Sequence, residues 1–195
     1  MSGGLEMLGW EQLEALCGRC SRCRLRAGRN KMVFGRGSRT ADLMLIGEGP
    51  GRDEDATGIP FVGKAGQLLD RILEAAGIEA NDVYIGNIVK CRPPGNRIPA
   101  PDEASACLPY LRNQVYLVKP KIIVCLGATA AKYIIGEDIR ITRDRGKWHE
   151  RKGYWLMATY HPAALLRDQE KKRPAWEDFK NISAKLAELK VAEGE

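Results

Sequence analysis

The chain has 195 residues, 44% hydrophobic and 29% charged, the composition of a folded globular protein with a substantial core. A net charge of +6 and a pI near 9.0 favour an acidic partner, nucleic acid above all. No run approaches the roughly 18 apolar residues of a membrane span, and MSGGLEMLGWEQLEALC lacks the basic and apolar regions of a signal peptide. An intracellular protein is expected, so the six cysteines read as thiols or metal ligands rather than disulfides.

In chain order, WEQLEALCGRC reads as a short amphipathic helix running into a cysteine cluster. ADLMLIGE (41–48) is a buried strand that ends at a glycine-rich acidic loop. KAGQLLDRILEAAG (64–77) has apolar residues at helical spacing and a glycine stop. VYIGNIVKC (83–91) is a second strand, and a proline-rich turn then leads into the helix DEASACLPYLRNQVYLV. IIVCLG (122–127) is a third strand, followed by helical ATAAKYIIG. ITRDRGKWHERKGYWLMATYH reads as a hairpin whose second arm becomes a fourth core strand. HPAALLRD opens a helix with Pro162 in its first turn. A last helix covers about 175–190, and VAEGE reads as a fraying tail.

Apolar strands alternating with helices predict an α/β fold, a three-layer α/β/α arrangement around a four-stranded, mainly parallel sheet. With no repeat and no linker, residues 1–195 read as a single domain. Ligands in such folds bind beyond the carboxyl ends of the strands. Glu48, Asn87 and His161 all lie at or near such ends.

GEGPGRDEDATGIPFVGKAG (47–66) combines glycines with four carboxylates, Glu48, Asp53, Glu54 and Asp55. Its GIPFVGKA portion matches the spacing of a phosphate-binding loop, which would make a nucleotide-binding protein. Three features oppose that reading. Ala65 replaces the magnesium-binding hydroxyl, nine residues separate the motif from the strand, and the carboxylates repel phosphate. The dinucleotide pattern fails as well, with Arg52 at its third glycine.

Cys125 lies inside an apolar strand and reads as a core thiol. Of Cys17, Cys20, Cys23, Cys91 and Cys107, four suffice for one metal centre. Spacing alone leaves structural zinc and an iron–sulfur cluster both open.

GEGPGRDED with GIPFVGKAGQLLDRIL, VYIGNIVKCRPPGNRIPAPDEASAC and HPAALLRD together resemble a family 4 uracil-DNA glycosylase, the iron–sulfur type of prokaryotes. The likeness runs from about Cys20 to about Asp168. It implies a [4Fe–4S] cluster on Cys20, Cys23, Cys91 and Cys107, leaving Cys17 spare, with CGRC as an alternative register. It also implies a monofunctional repair enzyme, working as a cytoplasmic monomer, that flips uracil from DNA and leaves an abasic site. A non-catalytic iron–sulfur protein that only binds nucleic acid is the competing expectation.

The resemblance assigns roles residue by residue. His161 donates to the developing uracil O2 anion, and Asn87 reads the O4 and N3–H edge. Phe61 stacks on the base, and Glu48 positions water or the sugar cation. Gly49 stands where the better-known family 1 enzymes carry a water-binding aspartate. Gly51 stands where those enzymes carry the tyrosine that excludes thymine, and Glu54 is the expected replacement barrier. Leu165 is the expected wedge into the emptied stack, and Arg167 the expected phosphate contact. Ala164 departs from the tyrosine common in family 4.

Overall fold

The computed structural model describes residues 8–192. The first seven residues and most of the predicted frayed tail lie outside that range. One sheet organises the described chain, with strands β1 (Arg36–Gly37), β2 (Leu43–Gly47), β3 (Val83–Asn87), β4 (Ile122–Leu126), β5 (Trp148–Arg151) and β6 (Tyr154–Thr159). Their spatial order is β1-β3-β2-β4-β6-β5. The four central strands are parallel, and β1 and β5 flank them antiparallel.

The parallel centre is the four-stranded sheet expected from the sequence, and the two edges extend it to six strands. β1 escapes a sequence reading because two residues, Arg36 and Gly37, carry no hydrophobic alternation. β5 is the first arm of the predicted hairpin, joined to the sheet through β6.

Each central strand is buried on both faces, and its residues alternate between two cores. Leu43, Leu45, Ile85, Ile122 and Val124 pack with α4 (Lys64–Ala75) and α9 (Lys172–Val191) through Leu69, Leu73, Phe179 and Ile182. Met44, Ile46, Tyr84, Ile123 and Cys125 face the other way. There they meet α1 (Trp10–Gly18), α5 (Pro101–Val118) and α6 (Ala128–Ile134) through Leu13, Tyr110, Leu111 and Ala131. Each such aliphatic side chain contributes about 1.5–3 kcal/mol by leaving water. Cys125 belongs to this core.

Three short helices were not foreseen: α2 (Leu25–Gly28), α3 (Arg52–Thr57) and α7 (Ile141–Asp144), the last replacing the start of the expected hairpin. α3 forms inside the acidic loop. Its first turn carries Asp53, Glu54 and Asp55, the charge sign that a helix N-terminus favours. Gly51 precedes it and lacks the hydroxyl that would mark a helix start.

The parallel strands bring their carboxyl ends to one side of the sheet. From β2 the chain crosses first to β3 and later, on the opposite flank, to β4, so the strand order reverses beside Glu48. α8 (Pro162–Arg167) begins directly after β6, with His161 capping it. The end of β6 is fixed by a buried network. Thr159 Oγ1 donates to Asp178 at 2.6 Å, and Arg145 makes two bonds to the same carboxylate at 2.9 and 2.6 Å.

Candidate active site

Gly47, at the end of β2, packs against both Asn87 and Phe61. A Cβ at this position would stand 2.5 Å from Asn87 Oδ1 and 2.7 Å from the Phe61 ring, so only glycine admits both neighbours. Register places Gly47 directly beside Asn87 in the sheet. The Phe61 ring in turn stacks on His161, with ring centroids 5.7 Å apart and planes inclined by 30°. Asn87, Phe61 and His161 are therefore one contiguous surface.

Asn87 is 2% exposed, and its Oδ1 has no hydrogen-bond partner among the described residues. An unmet buried acceptor costs about 1–3 kcal/mol. Such an atom is suited to an N–H donor arriving from outside the protein.

His161 Nδ1 accepts the backbone N–H of Ala163 at 3.1 Å. The neutral ring therefore carries its proton on Nε2. Burial pushes the His161 pKa down to about 4, with the positive Arg167 adding to the effect and Glu54 opposing it. At neutral pH the ring is an uncharged donor, held in one tautomer by the first turn of α8.

Phe61 owes its position to the preceding acidic helix. Its backbone is left-handed, φ 55°, and Gly66 lies so close beneath that a Cβ there would collide with the Phe61 carbonyl. Glu54 closes this loop: Oε1 accepts the N–H groups of Val62 and Gly63 at 3.0 and 2.9 Å, and Oε2 accepts that of Gly51 at 3.0 Å. The amides that a phosphate-binding loop would offer to a nucleotide already hold a carboxylate. That geometry closes the nucleotide-binding reading.

The four carboxylates of the segment thus separate by task. Asp55 is buried and accepts both the backbone and side-chain N–H groups of Asn30, at 2.9 and 2.6 Å, tying the N-terminal segment down. Asp53 faces solvent beside Arg52. Glu54 engages the loop with both oxygens. Glu48 lies at the end of β2, where its Oε2 accepts the hydroxyl of Thr129. Thr129 sits just beyond β4, across the point where strand order reverses. Sequence reading passed over it, although a hydroxyl two residues past a strand end was the available signal.

Gly49 packs against Val89, where a Cβ would approach the Val89 methyl to 2.7 Å. Arg167 is exposed at the end of α8. Leu165 requires a correction. It is 1% exposed and belongs to the packed interior, so it is not presented to a partner, whereas Leu166 is 42% exposed on the same helix.

A second site lies behind β3. Cys17, Cys20, Cys23, Cys91 and Cys107 line one cavity, with Arg22, Arg26, Arg29, Lys90 and Tyr110 around them. Among the described residues no three donors close on a point that would hold a single metal ion. The five cysteines share the lining of this one cavity. N–H donors already point at them: Arg29 Nη1 at Cys91 Sγ (3.2 Å), Lys90 N at Cys107 Sγ (3.3 Å) and Arg22 N at Cys20 Sγ (3.5 Å). Donors of this kind stabilise thiolate ligands. Glu103, buried on the first turn of α5, braces the cage by binding Arg24 and Arg97. Those bonds hold its carboxyl down to about 2.

Comparison with known proteins adds an independent line. The model of the uracil DNA glycosylase superfamily matches residues 34–180. The Type-4 uracil-DNA glycosylase of Thermotoga maritima is 43% identical over 172 residues, covering 85% of this chain and 88% of the relative. The Type-4 enzyme of Sulfurisphaera tokodaii is 45% identical over 172 residues, covering 84% of this chain and 78% of the relative. That of Archaeoglobus fulgidus is 42% identical, covering 84% and 86%.

Proposed function

Because the chain belongs to the uracil DNA glycosylase superfamily, we propose that it is a uracil-DNA glycosylase of DNA base excision repair. It extrudes the uracil nucleotide, hydrolyses the bond between uracil N1 and the sugar C1′, and leaves an abasic site. The unpartnered, buried Oδ1 of Asn87 is the observation that carries the site assignment.

In the flipped state Asn87 Oδ1 accepts uracil N3–H, and its amide nitrogen donates to O4. Cytosine presents both groups reversed and would leave the buried amide mispaired. Phe61 lies flat against the base and is held there by the loop that Glu54 closes. As the glycosidic bond lengthens, negative charge grows on uracil and positive charge on the sugar. His161 Nε2–H donates to the uracil O2, stabilising that anion without bringing a competing charge of its own. Glu48, aimed by Thr129, orients the water that adds to C1′ or faces the sugar cation. Glu54 acts as the brace of the pocket, and this placement accounts for its presence without a direct contact to the base.

Arg167 meets phosphate beside the flipped nucleotide, and the exposed Leu166 fills the emptied stack. Cys20, Cys23, Cys91 and Cys107 would hold a [4Fe–4S] cluster, a reading supported by the one cavity that they line together and by the N–H donors aimed at their sulfurs. Bound, the cluster supplies a cross-link between the N-terminal segment, the loop after β3 and α5, rather than electrons. The partner is uracil-containing DNA, and a cytoplasmic monomer is the working unit of the proposal. No helix among the described residues is long and apolar enough to cross a membrane.

The test is incubation of a uracil-containing oligonucleotide with the wild-type protein and with Asn87→Ala, His161→Ala and Glu48→Ala, scoring abasic sites. Wild-type protein that releases no uracil would overturn the activity. Three variants at full rate would overturn the site assignment. Losses of about 10²-fold or more are expected for Asn87 and His161.

A further inference from the structure

Lys90 is 1% exposed, and no carboxylate among the described residues pairs with it. Lysine almost never occupies such a position without a specific partner. Its Nζ instead donates to two neutral oxygens, the backbone carbonyl of Asn87 at 2.9 Å and Gln114 Oε1 at 2.6 Å. Gln114 is itself locked, because its Nε2 is committed to the Phe34 carbonyl and the Tyr84 hydroxyl, both at 3.0 Å. Its oxygen must therefore face the lysine.

The other end of the same residue belongs to the sulfur cage. Lys90 N–H donates to Cys107 Sγ, the next residue is Cys91, and Lys90 lines the cavity. β1 reaches no further along β3 than Ile85, so the edge strand offers Asn87 no partner. The N–H of the same peptide, on Ile88, donates to the Gly47 carbonyl at 2.9 Å, and Lys90 Nζ is the donor to its carbonyl on the opposite side.

We infer that Lys90 is a positioning residue for the base-reading amide, its side-chain nitrogen tying the Asn87 carbonyl to the wall of the sulfur cage. The inference rests on the reading of Asn87 given above. Cage and pocket are then one mechanical unit, joined through three consecutive bonded groups rather than through the cluster's electronics. A base-reading side chain must be held within about 0.5 Å of its working position, and Lys90 supplies that restraint from behind.

The test is a double-mutant cycle under single-turnover conditions with enzyme in excess, using Lys90→Met, Asn87→Ala and the double variant on a uracil oligonucleotide. Methionine keeps the stem and removes the donor. Lys90→Met is expected to lower the excision rate about tenfold while oligonucleotide affinity stays within about twofold. Iron content and visible absorbance per chain are expected to stay at the wild-type level. In the Asn87→Ala background the same substitution is expected to change the rate less than about twofold, because the group it positions is gone. Equal factors in both backgrounds, a wild-type rate for Lys90→Met, or loss of iron would each overturn the inference. If Lys90→Met is insoluble, Gln114→Met removes the side-chain nitrogen's second anchor, and the cycle is run on it with the same criteria. Inert wild-type protein would overturn the glycosylase reading, and this inference with it.

Discussion

Glu54 accepts the backbone N–H of Gly63 at 2.9 Å, and through this bond a carboxylate occupies the amide nest of a phosphate-like loop. The bond fixes the loop that carries Phe61. Glu54→Ala is expected to reduce kcat/KM for uracil excision by about 10²-fold, since a displacement near 1 Å is enough. Glu54→Gln keeps an acceptor oxygen and should lose less. Steady-state excision kinetics on both variants check the order, and calorimetric titration of the wild type with ATP should show no binding.

Glu48 depends on Thr129 for its orientation. Thr129→Val preserves shape and removes the hydroxyl. The excision rate is expected to fall about tenfold, equivalent to about 1.4 kcal/mol in the barrier. Glu48→Gln, which keeps the bond partner but loses the charge, should fall further. An equal loss for both variants would assign Glu48 an orienting role only.

The His161 pKa is depressed to about 4 by burial, whereas an unfolded histidine titrates near its ordinary value of 6.5. Between these values the unfolded chain binds the extra proton and the folded chain does not. Stability from this group is therefore complete above about pH 6.5 and declines as pH falls towards 4. His161→Gln is expected to flatten that part of the stability profile. Denaturant unfolding at several pH values, compared between the two proteins, measures the difference.

The cysteines should separate by role. Cys91→Ala is expected to lose the brown colour and most of the iron, while Cys17→Ser keeps both, because Cys17 lines the cavity without belonging to the proposed ligand set. Visible absorbance and iron per chain score each variant. Colour lost with Cys17→Ser and retained with Cys20→Ser would move the ligand register to Cys17.

Leu165 and Leu166 make opposite predictions from adjacent positions. Leu165→Ala empties a core site and should cost about 2–5 kcal/mol of stability. Leu166→Ala should leave stability nearly unchanged. It should slow uracil excision from duplex more than from single-stranded oligonucleotide, which has no stack to fill. Melting curves and the duplex to single-strand rate ratio check both statements.

The sequence made the sheet centre legible because each parallel strand is a short apolar run between turn signals. Asn87, Glu48 and His161 were legible for a related reason, as polar residues stranded at the ends of apolar strands. The supporting layer was not. Lys90 sits in the apolar context of Ile88, Val89 and Cys91, where nothing local says that its side-chain nitrogen finds two oxygens. Glu54 looked like a wall of the pocket because sequence cannot show its three bonds to backbone. The burial of Leu165 was hidden because a six-residue helix is too short for periodicity to fix its inward face.

Both margins of the sheet are poor templates for another chain. β1 offers two residues, Arg36 and Gly37, and the glycine holds a φ of 106° that an added strand cannot follow in register. β5 ends in exposed Glu150 and Arg151. Unpaired, hydrophobic margins invite strand addition between molecules, whereas short and charged ones discourage it. A protein built this way can concentrate on a polyanion, many copies side by side, without its β-structure seeding aggregation.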